Sequence, residues 1–191
     1  MSIPQKTIAI DLDGVCVNYN AGLQRWLAKN VDTRFSDLSC PTQYDFMCEG
    51  WEDVHDNFTK YHTAAVEDGL YRDLPILDGC SDTLWELHHN NWLIHVVTSR
   101  FISKNQVAIV CSDTCYNLDK HNIPVDSISF TSHKTDVLAD LYLDDAPTNI
   151  LQLHNANRNI VVFDQPYNRD IDYVPRVHNW EEVCEFASQI S

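Results

Sequence analysis

The stretch IAIDLDGVCV, residues 8–17, decides the fold of this chain. An apolar run with the character of a short strand stops at two aspartates, Asp11 and Asp13, one residue apart and followed by Gly14. Like charges this close resist ionising together unless a cation or hydrogen bonds compensate them. Two readings compete for the pair. One is a strand end with polar punctuation. The other is a metal-assisted carboxylate nucleophile beside a carboxyl general acid, with the two tolerating each other because a cation sits between them and more remote partners.

Outward from this strand, the pattern of apolar residues supplies the architecture. From residue 79 onward, buried-looking runs (WLIHVVTS, SISF, LYL, NIVVF) alternate with helical periodicity, including a helix read over SKNQVAIVCSDTCYNLDKHNI with Ser103 near its N-cap. Such alternation predicts an α/β fold: a Rossmann-like parallel sheet with helices on both faces. A short helix is expected over HKTDVLADL, and a C-terminal helix over NWEEVCEFASQI. Residues 17–75 break the alternation. Trp51, Val54, Phe58, Tyr61 and Ala65 form one helical stripe there, closed by Gly69, which reads Trp51 and Phe58 as core. The expected organisation is an α/β core over residues 1–16 and 76–191, with a small helical insertion over 17–75 after the first strand.

In open parallel sheets, ligands bind beyond the carboxyl ends of the strands. Asp11 and Asp13 close the first strand, and Thr98 and Ser99 close LIHVVTS. Lys134 follows SISFTS, and Asp144 and Asp145 close LYL. A carboxylate can attack phosphorus, and a second carboxyl nearby can protonate the leaving oxygen and then activate water. A hydroxyl and an ammonium can hold phosphoryl oxygens. Carboxylates gathered around Mg²⁺ would suppress repulsion between nucleophile and phosphate.

Composition limits the alternatives. The 191 residues carry 28 acidic against 13 basic side chains, a formal net charge of −15. A surface of this sign argues against stable nucleic-acid binding, though not against a small anion in a local positive pocket. No apolar run is long enough to span a membrane, and MSIPQKTIAI lacks the charged start and apolar stretch of a secretion leader. The seven cysteines are odd in number and irregular in spacing, which fits buried, reduced thiols in a cytoplasmic protein. Cys16 reads as a small packing residue.

The ordered set DLDGVCV, TSR, Lys134 in SHKTDVLADL, and LYLDD resembles the four motifs of the haloacid dehalogenase-like phosphohydrolases. The resemblance implies Asp11 as the phosphoryl-accepting nucleophile and Asp13 as the general acid/base whose main-chain carbonyl also binds metal. It implies Thr98, with Ser99, and Lys134 as phosphate holders. Asp144 and Asp145 would complete the Mg²⁺ site, one directly and one through water, with Asp145 preferred as the direct ligand. From Asp13 to Thr98 is 85 positions and from Arg100 to Lys134 only 34, so the small cap that these enzymes carry belongs in the first interval, over residues 17–75.

HKTDVLADLYLDD, VVFDQPYNR and RVHNWEEV are similar to the 5'(3')-deoxyribonucleotidase branch, as is GLYRDLPILDGCSDTLWEL. That branch implies a Mg²⁺-dependent phosphomonoesterase acting on deoxynucleoside monophosphates, with cap aromatics sandwiching the base. Tyr19 and Phe46 stand as candidates for that role, and cap packing is the alternative for each. Arg100 departs from the uncharged residue that the branch often has there. It would either bind a second phosphate or sugar oxygen, or pair with an acid. Arg169 and Arg176 resemble branch positions, with structural ion pairs as the alternative. The same mechanism on a sugar phosphate or a polynucleotide 3'-phosphate stays open, as does a catalytically silent binding module. The cap's aromatics would equally serve a homodimer interface.

Overall fold

The structure, a computed structural model, describes residues 5–100 and 104–190. The position read as a helix N-cap, Ser103, lies outside the described residues. Six strands form one parallel sheet: β1 Lys6–Ile10, β2 Trp92–Thr98, β3 Ser127–Phe130, β4 Leu141–Asp144, β5 Ile160–Phe163 and β6 Arg176–Val177. Their order across the sheet is β3-β2-β1-β4-β5-β6. The helices are α1 Tyr19–Asn30, α2 Glu52–Glu67, α3 Cys80–His89, α4 Val107–Lys120, α5 Pro147–Asn155 and α6 Trp180–Ser188.

The central strand shows why the sheet forms. β1 is fully flanked, with Ile8 opposite Ile94 of β2 and Leu141 of β4. Strands buried on both faces read as near-continuous apolar runs. Ile8, Ile10, Ile94, Val96, Leu141 and Leu143 point to one face, where they join Leu84 and Leu87 of α3, Val110 and Leu118 of α4, and Trp180 and Val183 of α6. Ala9, Val97, Tyr142, Ile160 and Val162 point to the other, against Ile150 and Leu153 of α5. Right-handed crossovers explain the division. The chain steps one way through β1, β2 and β3, then crosses β1 and steps the other way through β4 and β5. The expected parallel sheet with helices on both faces is therefore present. Among the described residues no helix is long and apolar enough to cross a membrane.

Between β1 and α3 the chain builds α1 and α2 with two 3₁₀ turns, Thr33–Asp37 and Leu70–Arg72. Asn18 caps α1, its side chain accepting from the Ala21 N–H at 2.9 Å. The chain leaves and re-enters at one point. Val17 and Ile76 form an isolated antiparallel bridge, the Asn18 N–H donates to Pro75 O at 2.8 Å, and the Leu77 N–H donates to Cys16 O at 2.8 Å.

One local expectation is corrected. HKTDVLADL forms a single 3₁₀ turn, Lys134–Asp136, rather than a helix. The segment instead buries the Lys134 side chain and lets the Asp140 N–H donate to Thr7 O at 2.9 Å before β4 begins. β6 has no counterpart in the sequence reading: with only two residues, it is too short to show a period. All seven cysteines are free, but only Cys16 and Cys80 are buried as expected, while Cys40 and Cys115 are exposed.

Trp180 ties the C-terminal helix to the loop after β1. It is buried, and its indole Nε1 donates to Val15 O at 3.0 Å. Leaving a buried carbonyl without its donor costs about 1–3 kcal/mol. Trp180→Phe should therefore lower the unfolding free energy by about that amount, read as a shifted urea midpoint at unchanged slope. An unmoved midpoint would remove this tether from the description.

Candidate active site

The strand order places the carboxyl ends of β1 and β4 side by side, where the direction of the chain's progress across the sheet reverses. Crevices at such switch points are where open α/β sheets bind ligands. Asp11 and Asp13 follow β1, Asp144 ends β4 with Asp145 next, and Thr98 ends β2. Lys134 enters from the turn after β3. Its ammonium donates to Asp11 Oδ1 at 2.6 Å and to Asp144 Oδ2 at 2.6 Å. All three side chains are almost fully buried. Burial opposes the charge on Lys134, but the two carboxylates outweigh it and raise its pKa.

Asp11, Asp144 and Asp145 each offer an oxygen, and these lie within 4.8 Å of one another. Burial pushes the Asp11 carboxyl up to about 7, with the charges of Asp144 and Asp13 adding to the effect and Lys134 opposing it. Burial, then the charges of Asp11 and Asp144, hold Asp145 well above the ordinary carboxylate range. With all three ionised, these buried carboxylates would carry more negative charge than Lys134 neutralises, which adds to burial in favouring the protonated forms of Asp11 and Asp145 in the absence of a further cation. Hard oxygen donors in this arrangement suit a small divalent cation.

The close approach is built by the backbone. Gly14 has φ +85°, and a Cβ there would lie 2.1 Å from Asp145 Oδ2. Glycine alone combines the left-handed conformation with that contact. Tyr167 Oη donates to Asp145 Oδ2, Gln165 Nε2 to Gly14 O at 2.6 Å, and Asn168 Nδ2 to Asp145 O at 2.9 Å. Asn149 Nδ2 reaches Asp144 Oδ1 at 3.2 Å. None of these four polar residues was singled out from sequence. The available signal was their position in the first turns after LYLDD and VVFD.

Asp13 stands apart from the carboxylate cluster. Its two oxygens accept from Arg100, Oδ2 from Nε at 2.9 Å and Oδ1 from Nη2 at 2.7 Å. Of the two fates read for Arg100, the structure shows the ion pair. Asp11 and Asp13 thus each have a side-chain cation of their own, Lys134 for the first and Arg100 for the second.

Above these groups is a cleft of about 550 Å³, within the usual range for small-molecule sites. Asp11, Asp13, Thr98, Ser99, Arg100 and Asp145 line its sheet side. Lys134 and Asp144 sit behind Asp11. Ser99 Oγ donates to Thr131 O at 2.9 Å. Tyr19, Phe46, Phe58, His62 and Tyr71 line the helical side. Phe46, at φ +65°, packs between Trp51 and Phe58 with ring centroids 5.3 Å and 5.5 Å away. It is both packed and cleft-lining, so its two readings merge. Trp51 is core as expected, whereas Phe58 shows a face to the cleft. Tyr44 and Tyr167 meet edge to face at 5.5 Å across the mouth. Arg169 pairs with Asp164 at the surface. Arg176 binds Asp164, Asn168 and the Ile171 carbonyl. Both arginines are accounted for by these structural contacts.

His62 anchors the helical wall. It is buried, hydrogen bonded through Nδ1 to Tyr19 Oη at 2.7 Å and through Nε2 to Tyr71 Oη at 3.4 Å.

Comparison with known proteins is consistent across sequence and structure. A family described as "5' nucleotidase, deoxy (Pyrimidine), cytosolic type C protein" matches residues 5–190. A protein of Chlorobaculum tepidum described as "Putative 5'(3')-deoxyribonucleotidase" is 26% identical over 198 residues, covering 97% of this chain and 91% of that protein. A haloacid dehalogenase-like hydrolase of Streptococcus pneumoniae shares the fold with a TM-score of 0.61 at 16% identity, over 96% of this chain and 98% of its own. A HAD family hydrolase of Deinococcus radiodurans, solved with bound phosphate and sodium, aligns with a TM-score of 0.63 at 10% identity, over 99% of this chain and 97% of its own.

Burial lowers the His62 pKa from 6.5 to about 4, so the folded protein holds it neutral where the unfolded chain would protonate it. Its contribution to stability is complete above pH 6.5 and is lost as pH falls toward 4. The loss amounts to about 3 kcal/mol over that window. His62→Gln should flatten this part of the stability-against-pH curve relative to the parent, measured by urea unfolding at stepped pH. Parallel curves for the two proteins would contradict the assignment.

Proposed function

We propose that this chain, which belongs to the family of cytosolic type C 5' nucleotidases, deoxy (pyrimidine), hydrolyses deoxynucleoside monophosphates with Mg²⁺ through an aspartyl-phosphate on Asp11. Family membership makes the protein a nucleotidase of haloacid dehalogenase-like fold, a phosphoric monoester hydrolase. The finer reading is carried by one observation. Asp11 and Asp145 lie at the floor of a cleft whose opposite wall is aromatic, and Lys134 and Asp144 back Asp11 from behind.

In the first step, an Asp11 carboxylate oxygen attacks phosphorus. The ester P–O bond breaks, and the leaving alkoxide takes a proton from the Asp13 carboxyl. In the second, Asp13, now a carboxylate, takes a proton from water. The water oxygen attacks phosphorus, and the bond between phosphorus and Asp11 breaks to release phosphate. Lys134, beside Asp11, would counter the charge on the transferring oxygens, and the Thr98 hydroxyl at the end of β2 would hold one of them. The carboxylates of Asp11, Asp144 and Asp145, with the Asp13 main-chain carbonyl, would hold the metal ion. When bound, that ion supplies positive charge between nucleophile and phosphate.

The helical segment 17–75 would act as the cap over this cleft, keeping the acyl phosphate from bulk water. Tyr19, Phe46 and Phe58 give it faces on which a planar base can stack, and stacking suits any base. A nucleoside monophosphate fits the cleft's size, and the name of the Chlorobaculum tepidum relative supports the deoxynucleotide choice.

Phosphate release with Mg²⁺ across deoxy- and ribonucleoside monophosphates, their 3' counterparts and sugar phosphates should favour the deoxynucleotides. Preference for sugar phosphates would keep the reaction and discard the substrate. Asp11→Asn should abolish turnover in a folded protein, and more than a few per cent residual activity would exclude covalent catalysis by Asp11. Chelation should stop the wild type, with recovery on added Mg²⁺, and full activity in chelator would remove the metal.

A further inference from the structure

Arg100 is buried far more deeply than a surface ion pair needs. Its side chain is 1% exposed, while that of Asp13 is 26% exposed toward the cleft. Besides its two contacts with Asp13, the guanidinium donates from Nη1 to Thr114 Oγ1 of α4 at 2.9 Å. Its Cζ lies 4.3 Å from the centre of the Tyr71 ring. α4, the returning arm of the helical segment and the loop after β1 therefore fix one cation from three sides. A rigid fork held this way sets the direction of the carboxylate it grips.

We propose that Arg100 is a positioning residue that dedicates Asp13 to proton transfer, keeping its carboxylate out of the Asp11–Asp144–Asp145 cluster and aiming it at the leaving oxygen. The inference rests on the reading of Asp13 as proton donor given above. A carboxylate two residues from Asp11 would otherwise be free to join the three already gathered there. When one Asp13 oxygen carries the proton, one prong of the fork remains, so the carboxyl stays anchored through both steps. The contact of Arg100 with Tyr71, itself bonded to His62, ties that aim to the aromatic wall where the rest of the substrate would lie.

Leaving-group dependence separates positioning from binding or general structural support. An alkyl ester leaves as a strongly basic alkoxide and needs the proton, whereas a 4-nitrophenyl ester leaves as a stable phenolate and does not. Arg100→Met should lower kcat on deoxynucleotides by on the order of 10²-fold with KM little changed. The loss on 4-nitrophenyl phosphate should be at least about tenfold smaller. Arg100→Lys, which keeps the charge and loses the fork, should fall between Met and wild type. In an Asp13→Asn background, with the aryl ester keeping rates measurable, Arg100→Met should add no further loss. If Arg100→Met fails to fold, Thr114→Val removes only the outer anchor and should give a smaller loss with the same alkyl-over-aryl bias. Equal losses on both esters, additive losses with Asp13→Asn, or a rise in KM alone would overturn the proposal. If the wild type hydrolyses other alkyl phosphates but no nucleotide, the substrate reading fails and the alkyl-against-aryl comparison is made on those esters. If the wild type releases phosphate from no ester, the proposed reaction fails and this inference with it.

Discussion

Everything at this site depends on giving two neighbouring carboxylates separate cations. Asp11 is compensated by Lys134 and Asp13 by Arg100, at 2.6 Å and 2.7 Å. Neither cation is near in sequence. Lys134 arrives after β3 and Arg100 after β2, so the compensation exists only once β2 and β3 have lined up beside β1. An unpaired charge left in a buried position costs several kcal/mol. The same order brings Asp144 next to Asp11 from the opposite side of the sheet. Lys134 bridges the two and so couples strands that lie on opposite flanks of β1. The arrangement of charge is in this sense a property of strand order.

The helical side of the cleft is joined to this charged floor through few atoms. Tyr19 bonds His62, His62 bonds Tyr71, and Tyr71 covers Arg100, which holds Asp13. The links run through direct side-chain contacts, so the aromatic wall and the second aspartate share one packing environment. Phe46 and Phe58 extend that wall away from the floor. A ligand with a charged end and a planar end would meet one surface at each.

Much of this was legible because charge at the end of an apolar run is a local signal. IAID, HVVTS and LYLDD show strand and site in the same few letters, and the alternation after residue 79 shows the layers. What stayed hidden involves encounters across long separations. Arg100 was readable only as a choice between two fates, since its partner lies 87 positions away. Tyr167 and Asn168 sit in a turn whose purpose is visible only when Asp145 is beside it. Phe58 follows the helical stripe faithfully, yet the stripe faces a cleft along part of its length. The short β6 and the single turn at Lys134 lack the length on which any periodicity could be seen.

The bridge between Val17 and Ile76 has a further consequence, for the time order of folding. It closes a loop nested inside the one closed by the central pairing of the sheet, Lys6 with Trp92. Without it, that pairing would have to search across the whole intervening chain. With the helical segment already closed on itself, its two ends stand next to each other and the effective separation of β1 from β2 is short. Closure entropy rises only with the logarithm of loop length, about 0.6 kcal/mol per doubling. A pre-collapsed insertion therefore adds little to the thermodynamic cost of assembling the sheet. An insertion that closes early would act on the rate instead, since contacts distant in sequence are the ones that slow a chain's folding.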